Sequence, residues 1–210
     1  RAKPDYSGRV TVPILWDRKR DTLVSNESSE IIRMFNSAFR GVAEPRDGPE
    51  VDFWPEELRS EIDEVNELVY HAINNGVYKA GFATKQAAYE SAVEALFDAM
   101  DQMEARLSKQ RYLVGDRLTE ADWRLFTTLV RFDWVYHSHF KCSRRTLREY
   151  PNLFAFTREL YQYPGIAETV NVEHIRKHYF CSHESINPHR VVPVCPDVDF
   201  DAPHDRDRFG

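Results

Sequence analysis

The sequence predicts an α+β chain. A β-hairpin and one helix (1–40) precede an all-helical domain (56–187), with a linker at 41–55 and an extended tail at 188–210. Three observations carry this. Strand-like alternation is confined to the stretch before Ser25. Apolar residues recur at helical spacing from Pro55 to Phe180. Between the two, Gly41, Pro45, Gly48 and Pro49 interrupt any regular element. Strands followed by a run of helices mark an α+β architecture.

In Arg9 to Trp16, Val10, Val12, Ile14 and Trp16 alternate with Arg9, Thr11, Pro13 and Leu15, the period of a strand. A charged turn, Asp17 to Asp21, leads to a second short strand at Thr22–Val24. Ser25 or Asn26 is placed to cap a helix over Glu27–Phe39, with Ile31, Ile32, Met34, Phe35 and Ala38 as its apolar residues. A hairpin and one helix cannot bury a core alone, so this segment needs packing partners.

Beyond the linker, Pro55 suits a first helical position. Leu58, Ile62, Val65, Val69 and Ile73 then mark one helix, which Asn74-Asn75-Gly76 should end in a left-handed cap. Val77 to Ala83 reads as a short crossing. Thr84 is placed to cap a helix running to about Ser108, with Ala88, Ala92, Leu96, Ala99, Met103 and Leu107 on its inner face. The central helix is Leu118 to Tyr136. It opens with Thr119-Glu120-Ala121-Asp122, a capping box in its shorter, aspartate form, whose charge suits a helix N-terminus. Leu125, Leu129, Phe132 and Tyr136 form one apolar stripe and Phe126, Val130 and Trp134 another. A helix apolar on most sides is a buried one. His137 to Tyr150 reads as a polar, basic connection. Helices over Pro151–Tyr163 and about Asn171–Phe180 follow. In the Pro-rich tail, Val191, Val192, Val194 and Phe200 are expected to pack down.

Composition bounds the function. The net charge of −6 gives no pull toward nucleic acid or an anionic membrane. No run approaches the roughly 20 apolar residues of a membrane span. Three scattered cysteines, Cys142, Cys181 and Cys195, argue against a disulfide framework and for a reducing compartment such as the cytoplasm. The first residues have no apolar signal core, and the abrupt start suggests a fragment or a processed product.

Several constellations could carry chemistry. His174, His178, Cys181 and His183 have zinc-like types and spacing, and His137, His139 and Cys142 repeat this more weakly. A helix end enriched in His is the plainer reading, and no metal is expected. Lys141, Arg144, Arg145 and Arg148 form a basic patch that reads as a solvated loop. Cys195 has no helix N-terminus to activate it, and Ser28 has no fixed His partner. Val12-Pro13 is more informative. A proline in a strand belongs at an edge or beside a ligand, and a cis bond there would offer the Val12 N–H and C=O to a peptide-like ligand. Glu27-Ser28 begin a helix whose N–H groups, with the Ser28 hydroxyl, suit a carboxylate. Together these fit a short acidic peptide; the plainer reading is an edge-strand proline and an ordinary N-cap.

The phrases T-V-P-I-L-W-D, N-E-S-S-E-I-I-R-M-F, I-N-N-G-V-Y-K-A-G-F, L-T-E-A-D-W-R-L-F, N-V-E-H-I-R-K-H-Y-F and S-I-N-P-H-R-V-V-P span essentially the whole chain. Together they closely resemble the S-glutathionyl-hydroquinone reductases, the Xi class of glutathione transferases. The resemblance implies that 1–40 is the second half of a thioredoxin-like domain and that 56–187 is the helical domain of a glutathione transferase. It implies glutathione as co-substrate, an aromatic glutathionyl-quinol as substrate, and a homodimer. By resemblance, Arg9, Val10, Thr11, Val12 and Pro13 with Glu27 and Ser28 match the glutathione-binding segments. Tyr78 matches the proton donor and acceptor, and Tyr136 and Tyr179 the tyrosines beside the reactive thiol. The chemistry agrees, since phenol hydroxyls can hydrogen-bond a thiolate or a quinol oxygen. The family nucleophile, a Cys-Pro-Trp cysteine, is matched by none of the three cysteines, so these residues alone are expected to be inactive. The alternatives are a non-catalytic interaction module of the same fold and a conjugating glutathione transferase.

Overall fold

The computed structural model describes residues 5–7, 11–39 and 51–210. The chain divides into two units, Arg1–Pro55 and Glu56–Gly210.

In the first unit, β1 (Leu15–Asp17) pairs antiparallel with β2 (Thr22–Ser25), placing Trp16 opposite Leu23 and Asp17 opposite Thr22. The Asp17 carboxylate closes the turn by accepting the backbone N–H groups of Lys19 and Arg20, both at 2.9 Å. The first strand is shorter than the alternation suggested. Pro13 has no N–H to give, and the ladder stops short of it. Arg9 and Val10 lie outside the described residues.

Helix α1 (Ser28–Ser37) follows. Its start is tied by Ser25 rather than by a cap at the adjoining residue. The Ser25 hydroxyl accepts the Glu27 N–H (3.1 Å) and donates to the Glu30 carboxylate (2.7 Å). Ile31 is buried, whereas Trp16, Leu23, Val24 and Phe35 stay exposed, as befits a hairpin and helix too small to close a core. At its far end Asn36 bonds Asp52 and the Phe53 N–H, and Arg33 stacks on Trp54 at 4.0 Å.

The second unit is helical: α2 (Arg59–Leu68), α3 (Gly76–Gly81), α4 (Gln86–Leu107), α5 (Glu120–Leu129), α6 (Pro151–Tyr161) and α7 (Val172–Ser182). Ile62, Val65, Val69, Leu96, Met100, Leu125, Leu129 and Phe132 form its interior. The capping box of α5 is present. One Asp122 oxygen accepts the Thr119 N–H (2.8 Å) and hydroxyl (2.9 Å), and the other accepts the Leu113 N–H (2.8 Å). Glu104 of α4 caps α6 by accepting the N–H groups of Asn152 and Leu153.

Four expectations are corrected. Asn74-Asn75-Gly76 is no left-handed cap: Asn75 has helical angles, and α2 runs through a π turn (Val69–Asn74) into α3, so 77–83 is mostly helix. Asn74 helps hold this path by donating to the Arg124 carbonyl (3.0 Å) and the Thr128 hydroxyl (2.7 Å). The central helix is not continuous either. It ends at Leu129 and resumes as a π turn, Phe132–Tyr136. The connection after it is less polar than it reads, since Phe140, Cys142 and Leu147 are fully buried. In the tail, Phe200 is buried but Val194 is fully exposed. The anchor is instead Arg206, in the last turn (Arg206–Phe209).

Candidate active site

Both π turns deliver a tyrosine. A π turn spends an extra residue per turn and shifts the helical face that follows, and such turns concentrate at functional sites. The first turn, closed by Asn75 N–H to the Tyr70 carbonyl (2.9 Å), leads to Tyr78 on α3. The second, closed by His137 N–H to the Phe132 carbonyl (2.9 Å), carries Tyr136. Helix α7, capped by the Asn171 side chain on the His174 N–H (2.9 Å), brings Tyr179 between them. The Tyr179 hydroxyl lies 2.6 Å from that of Tyr78 and 2.8 Å from that of Tyr136.

Counting protons gives this chain a direction. Three hydroxyls carry three protons, and two contacts use two of them. The third must find a partner elsewhere. Tyr136 and Tyr179 are 3% and 7% exposed, while Tyr78 is 39% exposed. A buried donor is rarely left unmade, whereas an oxygen with two lone pairs tolerates one left unfilled. The satisfied arrangement is therefore Tyr136 donating to Tyr179, and Tyr179 donating to Tyr78. The Tyr78 proton is left free to point outward. Burial is the main cause that raises the pKa of both Tyr78 and Tyr136 above the usual phenol value, so both hold their protons at neutral pH. The group at the open end is therefore a protonated phenol.

The sequence reading missed the centre of this arrangement. Phe140, fully buried, stands with its ring centroid 5.1 Å from Tyr78, 5.6 Å from Tyr136 and 5.8 Å from Tyr179. It reaches this position because Gly81 lets α3 approach: a β-carbon there would lie 2.2 Å from Phe140 Cδ1. Phe82, 44% exposed, stacks on Tyr78 at 6.5 Å and extends an open aromatic surface beside its hydroxyl. Neither Gly81 nor Phe140 has a local signal, because each matters only through the other.

The helical part of this fold, residues 86–159, matches the family model of the glutathione S-transferase C-terminal domain. The glutathione transferase Xi 1 of Trametes versicolor is 56% identical and superposes with a TM-score of 0.90, over 96% of this chain and 69% of that one. The chain belongs to the Xi class of glutathione transferases. The glutathionyl-hydroquinone reductase YqjG of Escherichia coli K12 is 55% identical over all of this Xi-class chain, which spans 63% of that protein. The glutathione-bound structure of YqjG superposes with a TM-score of 0.93 at 55% identity, covering 98% of this chain and 66% of that one.

Of the site residues expected for a Xi-class enzyme, Tyr78, Tyr136 and Tyr179 come together in the helical unit. Thr11, Val12, Pro13, Glu27 and Ser28 belong to the first unit; Arg9 and Val10 fall outside the described residues. The Val12–Pro13 bond is cis, with Val12 exposed. Glu27 and Ser28 stand exposed at the N-terminus of α1. Among the described residues no three His, Cys, Asp or Glu side chains converge as metal ligands. The basic patch disperses, with Arg145 paired to Asp101 (2.8 Å) and Arg144 over Phe97. Burial pushes the Cys142 thiol up to about 12, the wrong direction for a nucleophile, and Cys195 donates to the Trp134 carbonyl (3.2 Å).

Proposed function

We propose that the whole protein reduces glutathionyl-hydroquinones with glutathione and that Tyr78 is its proton donor. The observation that carries this is the hydroxyl chain ending at the exposed Tyr78, to which the proton count gives an outward direction. It sits in a chain 55% identical to a protein named a glutathionyl-hydroquinone reductase. In the reaction the carbon–sulfur bond of the substrate breaks. A thiolate takes the sulfur as a mixed disulfide, while the ring carbon keeps the electron pair and takes up a proton. A second glutathione reduces the mixed disulfide, giving oxidised glutathione and restoring the thiolate. On this reading the whole protein supplies that thiolate, since Cys142 is buried and held as a thiol.

Tyr78 suits the protonation because it is the exposed end of the chain and, like any phenol, carries a proton at neutral pH; burial makes that proton harder to give, so the case rests on its position. Phe82 beside it offers a ring face to an aromatic quinol. Glutathione, the co-substrate, is assigned to Thr11, Val12 and Pro13 for its cysteinyl backbone and to Glu27 and Ser28 for its γ-glutamyl end. Exposed N–H groups at the start of α1 favour that carboxylate. Arg9 and Val10 are assigned with them on the resemblance alone. We place the enzyme in the cytoplasm as a homodimer. The relatives named as reductases lend no support to a conjugating enzyme or a binding module.

The whole protein, given glutathione and a glutathionyl-hydroquinone, should release hydroquinone and oxidised glutathione in equal amounts. Absence of hydroquinone release would reject the reading.

A further inference from the structure

The tyrosine chain is joined by a second contact that the reaction does not use. His139 follows Tyr136 by three residues, and His183 follows Tyr179 by four. Each spacing returns to the same face of a helical turn. The Tyr136 and Tyr179 hydroxyls meet at 2.8 Å, and His139 Nε2 meets His183 Nδ1 at 3.1 Å. The segment after α5 and the end of α7 are thus tied at two points, one hydroxyl pair and one imidazole pair.

The imidazole pair is built into the packing. His139 is 4% exposed and lies between the rings of Phe140 (5.3 Å) and Phe180 (4.6 Å). His183 stacks on His139 at an interplanar angle of 18° and turns its ring edge-to-face with Tyr179 (5.6 Å) and Phe82 (5.1 Å). Phe82 in turn stacks on Tyr78. One imidazole therefore touches the middle of the hydroxyl chain and the aromatic neighbour of its open end. Burial lowers the pKa of both rings, His139 to about 4, so at neutral pH one donates N–H and the other accepts.

We propose that His183, held by its hydrogen bond to His139, is a positioning residue that keeps Tyr179 between Tyr136 and Tyr78 and Phe82 against Tyr78. In this role neither histidine touches the reacting atoms; His183 acts through Tyr179 and Phe82. Without the bond, the hydroxyl pair and the ring contacts of Phe140 and Phe180 would hold α7 here with one directional tie fewer, and Tyr179 could swing away from Tyr78.

The proposal rests on the reductase reading for its effect on rate, but its geometry can be tested without turnover. An asparagine amide can stand in for Nδ1 of His183, whereas leucine cannot. In the whole protein, His183→Leu should lower kcat about tenfold and leave the KM for glutathione within about twofold, and His183→Asn should recover most of the loss. Alkaline titration followed by tyrosine absorbance gives the independent measurement. Tyr78 and Tyr136 should resist ionisation in the wild type, and in His183→Leu one tyrosine more should titrate near pH 10. Asparagine should restore the wild-type curve. Equal defects in the leucine and asparagine variants, or an unchanged titration in both, would overturn the role of the bond. A changed titration in a protein without reductase activity would support the positioning and reject the reductase reading.

Discussion

Gly81 and Phe140 are packed so closely that a β-carbon on the glycine would sit 2.2 Å from Cδ1 and 2.8 Å from Cβ of the phenylalanine. The contact sets how near α3, which carries Tyr78, lies to Tyr136 and Tyr179, because Phe140 touches all three. Gly81→Ala must push Phe140 or α3 aside. Overpacking of this kind costs typically 1–3 kcal/mol, and the expected result is a loss of about that size in urea unfolding together with reduced kcat. Gly76→Ala is the control. There a β-carbon meets Leu96 at an ordinary 3.7 Å, and alanine is the better helix former, so stability should hold or rise by up to about 1 kcal/mol. Equal effects of the two substitutions would show that Phe140 yields freely.

The proton count in the tyrosine chain makes a separate demand. Tyr78→Phe removes the donor and should lower kcat about 100-fold or more, the usual size of a general-acid contribution. Tyr136→Phe removes no group that meets substrate, since Tyr136 is buried. Tyr179 must still donate to Tyr78 to keep its own proton paired, so the outward order survives; what is lost is the donor that polarises Tyr179 and strengthens that bond, and a loss of only severalfold is expected. The same substitution made in a Tyr179→Phe background should cost nothing further, because the link it acts through is already gone. Additive losses would show that Tyr136 acts by another route.

Asp122 should make stability fall as pH rises in the mildly acidic range. Burial pushes its carboxyl up to about 6, against the opposing pull of the Leu113 and Thr119 hydrogen bonds. In the unfolded chain it titrates near 4. Its folded pKa is thus raised: the contribution is fully present below about pH 4 and is lost as pH rises through 6. At about 1.4 kcal/mol per unit, the change is at most about 3 kcal/mol. Urea unfolding from pH 4 to 7 should show the advantage of wild type over Asp122→Asn shrinking by up to that amount. A pH-independent difference would mean that the carboxyl titrates normally in the fold.

Much of the helical unit was legible because its signals are local. The Thr119–Asp122 box, the Ile62–Val65–Val69 spacing and Pro151 at the start of α6 each act within a few residues. The hairpin turn was legible for the same reason, through Asp17. The break in the central helix was not. Phe132 to Tyr136 keeps the apolar spacing of a continuous helix, and what accompanies the π turn is remote: Asp133 accepts the Leu147 N–H at 2.6 Å. The left-handed cap at Gly76 failed because glycine only permits that conformation, and Asn74 bonds α5 instead. Within the candidate site, the tyrosines were singled out by resemblance. Periodicity placed Tyr136 in the core, which is where its ring lies. The His139–His183 bond joins residues whose spacing suggested zinc, and only the fold shows the two rings meeting.

The tail offers the last test. Arg206 is fully buried and donates to the carbonyls of Leu107 (2.7 Å), Gln110 (2.6 Å) and Arg111 (2.5 Å), so it caps the C-terminal end of α4 with a positive charge. Upstream, Phe200 sits against Trp134, Phe154 and Tyr161, and Gln162 holds the Phe200 and Ala202 carbonyls. Trp134 is in the same π turn as Tyr136, so the tail packs on that turn through Phe200, and Arg206 ties the end of the tail to α4. Arg206→Ala leaves three carbonyls without their donor, while the Glu159 carboxylate, 3.9 Å from Arg206, keeps Arg111 at 2.6 Å. A buried acceptor left without its partner costs about 1–3 kcal/mol, and urea unfolding should show a fall of at least that order. Arg206→Lys should recover less than half, because one ammonium cannot reproduce a planar fork that serves three carbonyls. Full recovery by lysine would mean that the charge alone holds the tail, and that the fork geometry is incidental.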